Sequence, residues 1–336
     1  MGGGFTSLIP PDTDGAVGLT MTLEGLNNNY RISNKGTGAE ISTVSTNTFW
    51  AASGAAVGGF SDPRTEYDPI NNRWIVCMLG DFTGPGTFPP GYPNSSIVVG
   101  VSQTSDPTGG WYIFRIKADA ASQVFADFPL LGFNKNWVVI NIATFLNSSG
   151  AGSTARTLVI DYPALRAGTF SGSLRHRLGC SVGSSMNLSA TDNTEYIPNI
   201  GFTNGDYRVD TITPGPGAGF TYTVGATLRR GQVGLTQPTG NLLPQSPPNS
   251  GVSSCGATPC PVATGDIQIQ AAPVTRDGFT SFRRDRAYQR GAGPHVHLVD
   301  EDLGTPRSRR WMAGASRRRL RPRPTAASGT RGRTSR

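Results

Sequence analysis

Short apolar runs broken by glycine and proline constrain this chain more than any other feature. Glycine supplies 44 and proline 25 of its 336 residues, and punctuation this dense leaves little room for long helices. Turn clusters at 68–72, 81–86, 106–110, 147–152 and 213–219 separate candidate strands at 20–23, 30–33, 73–78, 96–101, 111–116, 137–142, 157–160, 207–212, 220–228 and 266–271. These runs are rich in Val, Ile, Thr, Tyr and Trp, the residues that suit a pleated, buried surface. A turn or two of helix is expected only at 162–167, with Pro163 near its start. The expected fold class is all-β.

A degenerate internal repeat narrows the architecture. Asn71-Asn72-Arg73-Trp74-Ile75-Val76 is similar to Asn134-Lys135-Asn136-Trp137-Val138-Val139, with the two tryptophans 63 positions apart. A third unit is expected near Thr194, where Tyr196 lies 59 positions after Trp137. Several strands per repeat at such spacing mark propeller blades carrying insertions. The expectation is a β-propeller with four to five blades visible in 1–275, incomplete as given.

Charge divides the chain at the same place. The formal net charge is +8, but residues 276–336 hold 16 Arg against 5 acidic groups, a balance of +11, and 1–275 balance at −3. The body is therefore slightly acidic, and the basic character belongs to a C-terminal segment. Positions 307–336 contain 11 arginines and almost nothing to bury, so a disordered tail is expected. Two readings of it stand open: a polyanion-binding segment, or out-of-frame translation of GC-rich DNA. No run of 18 apolar residues is present, which excludes a spanning helix of ordinary length. Met1 is followed by Gly2, Gly3 and Gly4 rather than a basic and then an apolar stretch, so no signal peptide is visible and a longer precursor is expected.

An ordered set of motifs carries a resemblance. Ile9-Pro10-Pro11-Asp12-Thr13-Asp14-Gly15-Ala16-Val17-Gly18 opens the chain, and Asp62-Pro63-Arg64-Thr65-Glu66-Tyr67-Asp68 precedes Arg73-Trp74. Ser102-Gln103-Thr104-Ser105-Asp106-Pro107-Thr108-Gly109-Gly110-Trp111 and Asp127-Phe128-Pro129-Leu130-Leu131-Gly132-Phe133-Asn134 follow. Over roughly residues 8–245 the chain resembles large bacterial secreted proteins with a sialidase-like β-propeller. The resemblance implies an extracellular propeller and no established activity. Ser105, Asp106, Gly109 and Trp111 also resemble an Asp box, a hairpin turn in which the aspartate accepts backbone N–H bonds and the tryptophan buries between blades. Such a turn is a fold device, and it does not assign a function.

Most catalytic chemistries lack their parts. The body has one histidine, His176, flanked by Arg175 and Arg177, and no Gly-x-Ser-x-Gly elbow or phosphate-binding loop is present. Cysteines stand at 77, 180, 255 and 260. Cys255 and Cys260 would close a small disulfide loop in an exported chain, and Cys77 reads as a buried free thiol. Arg64, Glu66, Tyr67 and Asp68 supply the residue types of a sialidase-like glycosidase, although they also read as blade-edge turns. Asp12 and Asp14 open like a calcium loop without its bidentate glutamate. They are the only candidates for a cofactor, and a turn cap is the competing reading. Phe88, Tyr92 and Trp111 suit either sugar stacking or packing between blades.

The function expected from these features is a non-catalytic extracellular module whose loops bind a glycan or a surface partner. The alternative is a glycoside hydrolase or lyase acting on acidic polysaccharide.

Overall fold

The computed structural model describes residues 12–83, 88–173, 185–199, 208–217 and 219–226 in full, and the backbone alone at 174–176, 200, 207, 242–243, 262–263, 274–276, 279–290 and 293–302. The chain divides into a unit spanning Met1–Gly304 and a second, Thr305–Arg336, which lies outside the described residues together with Cys180, Cys255 and Cys260. The first unit is built from consecutive antiparallel meanders. Strands β1 (Asp14–Val17), β2 (Met21–Gly25), β3 (Asn29–Asn34) and β4 (Glu40–Ser45) form the first sheet, followed by helix α1 (Thr46–Phe49) and a 3-10 turn. The second sheet is β5 (Ser61–Asp68), β6 (Arg73–Gly80), β7 (Ser96–Ser102) and β8 (Trp111–Lys117). The third meander is β9 (Val124–Phe133), β10 (Trp137–Leu146), β11 (Arg156–Asp161) and β12 (Gly172–His176), with helix α2 (Tyr162–Arg166) between the last two, and it forms half of an eight-stranded sheet. A short β13 (Met186–Asn187) precedes a three-stranded sheet of β14 (Glu195–Ile200), β15 (Tyr207–Pro214) and β16 (Phe220–Thr223). Beyond it, β17 (Leu242–Leu243) pairs with β18 (Val262–Ala263), and β19 (Val274–Arg276), β20 (Phe279–Arg290) and β21 (Gly293–Asp302) form an antiparallel meander. The sequence boundary at 275/276 falls inside β19, and strands continue to Asp302.

The first strands of successive sheets meet one another. β1 packs on β5 and β5 on β9, whereas β13 runs parallel to both β9 (Met186 opposite Phe133) and β19 (Met186 opposite Val274). Consecutive antiparallel meanders whose inner strands lie side by side define a β-propeller, with each meander a blade. The repeat seen in sequence has a physical basis. Trp74 and Trp137 begin the second strands of the second and third blades, and Tyr196 lies at the start of β14, where its carbonyl accepts from Ser185 N at 3.2 Å. Each of these hairpins is tied by an Asx turn: Asp68 Oδ1 accepts from the Ile70 and Asn71 amides, Asn134 Oδ1 from Asn136 and Trp137, and Asn187 Oδ1 from Ser189.

Strand alternation then assigns each face of a blade to a different neighbour. Trp74, Val76 and Met78 of β6 pack toward the first blade with Leu23, Tyr30, Ile32 and Trp50. The intervening Ile75, Cys77 and Leu79 pack toward the third blade with Val138, Ile140, Ile142 and Leu158. Across the next boundary Trp137, Val139 and Val159 meet Ile197 and Ile212. Central strands are thus apolar on both faces, which is why they appear in sequence as uninterrupted apolar runs. Ile140 is fully buried at such a boundary. Its replacement by alanine is expected to cost about 2–5 kcal/mol, read as a lower urea midpoint with an unchanged m-value.

Candidate functional site

The inner strands differ from the rest in carrying polar residues and proline. β5 opens Ser61-Asp62-Pro63-Arg64 and β9 contains Asp127-Phe128-Pro129, and both pair with their second strand through a one-residue register shift at this point. The residue before each proline is left-handed, Asp62 at φ 56° and Phe128 at φ 49°, and Asp12 just before β1 matches them at φ 46°. Such a conformation is costly for a non-glycine residue and persists only where surrounding bonds hold it. A β-bulge here re-aims the strand start and accommodates a proline that has no ladder hydrogen to give. Asp-Pro-Arg, read in sequence as a blade-edge turn, is therefore a bulged inner strand.

Hydrogen bonds run from blade to blade through these bulges. Asn27, in the β2–β3 turn, donates Nδ2 to Asp12 Oδ2 at 2.7 Å and accepts the Asp62 amide at Oδ1 at 2.8 Å. The Thr65 amide donates to Asp14 Oδ2 at 2.7 Å, linking the second blade to the first. Toward the third blade, Arg64 Nε donates to the Pro129 carbonyl at 2.7 Å, and its guanidinium lies 5.2 Å from the centre of the Phe128 ring. The Phe128 amide is shared between Asp127 Oδ1 at 2.9 Å and Asp62 Oδ2 at 3.3 Å. Asp12, Asp14, Asp62, Arg64, Glu66 and Asp127 form a polar inner rim.

Electrostatics in this rim follow from removing carboxylates from water among other carboxylates. Burial raises Asp14, with Arg64 and the Thr65 amide opposing. Burial likewise raises Asp62, and Asp12 adds to it. Asp127 is pushed up to about 6, by burial first and then by the Asp62 charge. Glu66 is raised well above the usual carboxylate range by burial and by Asp14, against Arg64.

The four glycosidase candidates do not assemble into one site. Arg64 and Glu66 project toward the third blade, but Tyr67 faces the first, its ring 4.8 Å from Trp74 and its hydroxyl donating to Asn72 Oδ1 at 3.0 Å. A Tyr–Glu nucleophile pair needs both groups on one face, and adjacent residues of a strand are on opposite faces. Asp68 is buried at the hub of its turn, accepting from Asn71 Nδ2 at 2.6 Å and from the Tyr162 hydroxyl at 2.8 Å. Arg166 Nη1 reaches Asn71 Oδ1 at 2.8 Å, so α2 clamps the β5–β6 turn.

The remaining candidates have local roles. Asp106 is exposed, and its Oδ1 accepts from the Thr108 hydroxyl at 2.7 Å and amide at 2.8 Å, bonds that lower its pKa. Ser105 gives its carbonyl to Trp74 Nε1 at 3.0 Å, Gly109 N donates to the Asp106 carbonyl, and half-buried Trp111 packs 5.0 Å from Phe49. Asp12 and Asp14 are engaged in the inter-blade bonds above, and among the described residues no group of three or more His, Cys, Asp or Glu is placed to hold a metal ion. Cys77 is a buried free thiol whose pKa burial raises. Only the backbone of His176, in β12, is described.

A second feature is aromatic. Tyr92 stacks on Phe82 at 3.8 Å, and Phe125 lies between Phe88 at 5.7 Å and Phe145 at 5.5 Å. Phe88 remains 39% exposed. Sequence pointed to Phe88 and Tyr92 but missed Phe82, Phe125 and Phe145, because runs of this kind do not show which rings converge. It gave no role to Asn27, Asp62, Asp127 and Phe128; the signal at the inner strands was the proline that follows Asp62 and Phe128.

No family model and no curated protein sequence matches this chain. Among solved structures it is similar to Drosophila semaphorin 1b, extracellular domains 1–2, at 11% identity and a TM-score of 0.28, covering 87% of this chain and 77% of that one. It is also similar to PorZ, a bacterial surface component of the type-IX secretion system of Porphyromonas gingivalis, at 9% identity and a TM-score of 0.14, covering 86% and 44%. The propeller assignment rests on the chain's own sheets and inner-strand order, not on either superposition. Resemblance to the secreted sialidase-like group rests on its sequence motifs alone.

If Asp68 is a turn hub rather than a reacting group, Tyr162→Phe should lower stability by about 1.5–3 kcal/mol, the worth of a hydrogen bond to a buried charge. Denaturant unfolding of the full chain reads this directly.

Proposed function

We propose that this chain is a non-catalytic extracellular β-propeller module that presents loops to a glycan of a cell surface or matrix. The observation that carries this reading is the Phe88 platform between the second and third blades. Its ring has an exposed part, and it is held in place from behind. A Cβ on Gly91 would come within 2.9 Å of the Phe88 ring, and one on Gly150 within 2.8 Å. Both glycines also have positive φ, 57° and 72°. Asn147 fixes the loop by accepting the Tyr92 amide at 2.8 Å and donating Nδ2 to the Ser122 carbonyl at 2.9 Å.

A ring held this way loses little freedom when a ligand arrives. Its negative face suits the polarised C–H face of a pyranose. Separation of Tyr67 from Glu66 on β5 favours binding over the glycosidase alternative. An extracellular setting is supported by the sequence motifs that resemble those of secreted propellers. Polyanion binding by the arginine-rich segment is a separate proposal about residues outside those described.

The full chain applied to a glycan array is expected to retain a discrete set of saccharides. Phe88→Ala, with its melting temperature unchanged, should weaken that binding by about tenfold, equivalent to roughly 1.4 kcal/mol. Retention of no saccharide, or equal binding by the variant, would overturn the reading.

A further inference from the structure

We propose that Asp62 and Asp127 form a pH-sensitive latch between the inner strands of the second and third blades, closed while the pair holds a proton and loosened when both carboxylates ionise. Two carboxylates from different blades converge on one backbone N–H, that of Phe128, at 3.3 Å and 2.9 Å. One amide proton cannot satisfy two anions, and like charges this close oppose joint ionisation. A proton on the pair removes the repulsion and supplies a hydrogen bond between the two acids.

Among the described residues, Asp12 ahead of β1 adds its charge at both carboxyls and Arg64 of β5 opposes it at Asp62, while Asp14 of β1 and Glu66 of β5 face Arg64. Arg64 is anchored by Nε to the Pro129 carbonyl, one residue beyond the shared amide. Asp62 and Phe128 are both left-handed, so separating the bulges relieves backbone strain as well as charge. Displacing the Phe128–Pro129 bulge would also release Arg64, making its guanidinium available at the inner rim. The latch therefore couples pH to the exposure of an arginine as well as to blade cohesion.

The sign follows from linkage. The native state keeps on Asp127 a proton that the unfolded chain, with an ordinary aspartate near 3.9, has already released. Stability from this group is highest below about 4, is lost as pH rises toward about 6, and is flat above. The full chain should accordingly melt several degrees lower at pH 7.5 than at pH 5. Asp127→Asn, which cannot ionise, should show a shallower pH dependence than wild type, and Asp62→Asn should do the same through the other partner. Hydrogen exchange of wild type, corrected for the intrinsic pH effect, should show faster exchange at 62–65 and 128–131 above pH 7 than at pH 5. This readout requires no variant to fold. Parallel pH profiles for wild type and both variants, or equal corrected exchange at the two pH values, would overturn the latch.

Discussion

Everything in this fold depends on how the inner strands join one blade to the next. A blade closes its own ladder by antiparallel pairing, and between the first three blades the ladder does not continue from one to the next. At the inner edge the linking bonds are polar and specific: the Asn27 amide bridging Asp12 and Asp62, Asp14 receiving the Thr65 amide, Arg64 reaching Pro129. The bulges make these bonds geometrically available. A left-handed residue followed by proline or threonine turns the chain toward the adjacent blade just ahead of β1, at the start of β5 and midway along β9. Strain at Asp12, Asp62 and Phe128 is held by the bonds that the strain makes possible.

Farther from that edge the joint is apolar and non-directional. Because side chains alternate, one strand serves two interfaces: Val76 and Met78 belong to one boundary, Ile75 and Cys77 to the next. Burial on both faces supplies most of the cohesion. Such packing tolerates small displacements better than hydrogen bonds do, so the register between blades is set at the polar inner edge. Asp68 with Tyr162, and Asn71 with Arg166, repeat the same arrangement at the β5–β6 turn.

This division explains what was legible in the sequence. Trp74–Met78, Ser96–Val101 and Trp137–Ile142 stood out because double-sided burial demands continuous β-branched and aromatic residues. The expected helix at 162–167 appears as Tyr162–Arg166, capped by Asp161 on the Ala164 amide at 2.8 Å. The inner strands Ser61–Asp68 and Val124–Phe133 were hidden by the composition that equips them for joining blades, since aspartate and proline are turn residues in any local reading. Asp62 and Asp127 lie 65 positions apart, and no local pattern announces that their carboxylates meet at one amide. Glu66, Tyr67 and Asp68 were conspicuous for the opposite reason, as adjacent polar residues whose division between two faces is invisible until the strand is known.

That division bears on how chemistry can be built on a propeller at all. Consecutive residues of an inner strand cannot form one site, so functional groups must come from alternate positions of one strand or from neighbouring inner strands. The Asp62, Arg64 and Glu66 series satisfies the first condition, and Asp14 and Asp127 contribute from the strands on either side. The result is an acidic rim around one cation that is itself tied to a backbone carbonyl. Burial raises Asp14, Asp62, Glu66 and Asp127, and neighbouring carboxylates add to it at the last three. The exposed aromatic ring at Phe88 depends on none of these charges. The proposed glycan contact and the proposed pH latch therefore fall on different parts of the same two blades, one on apolar contact at the loops and one on the electrostatics of the inner edge.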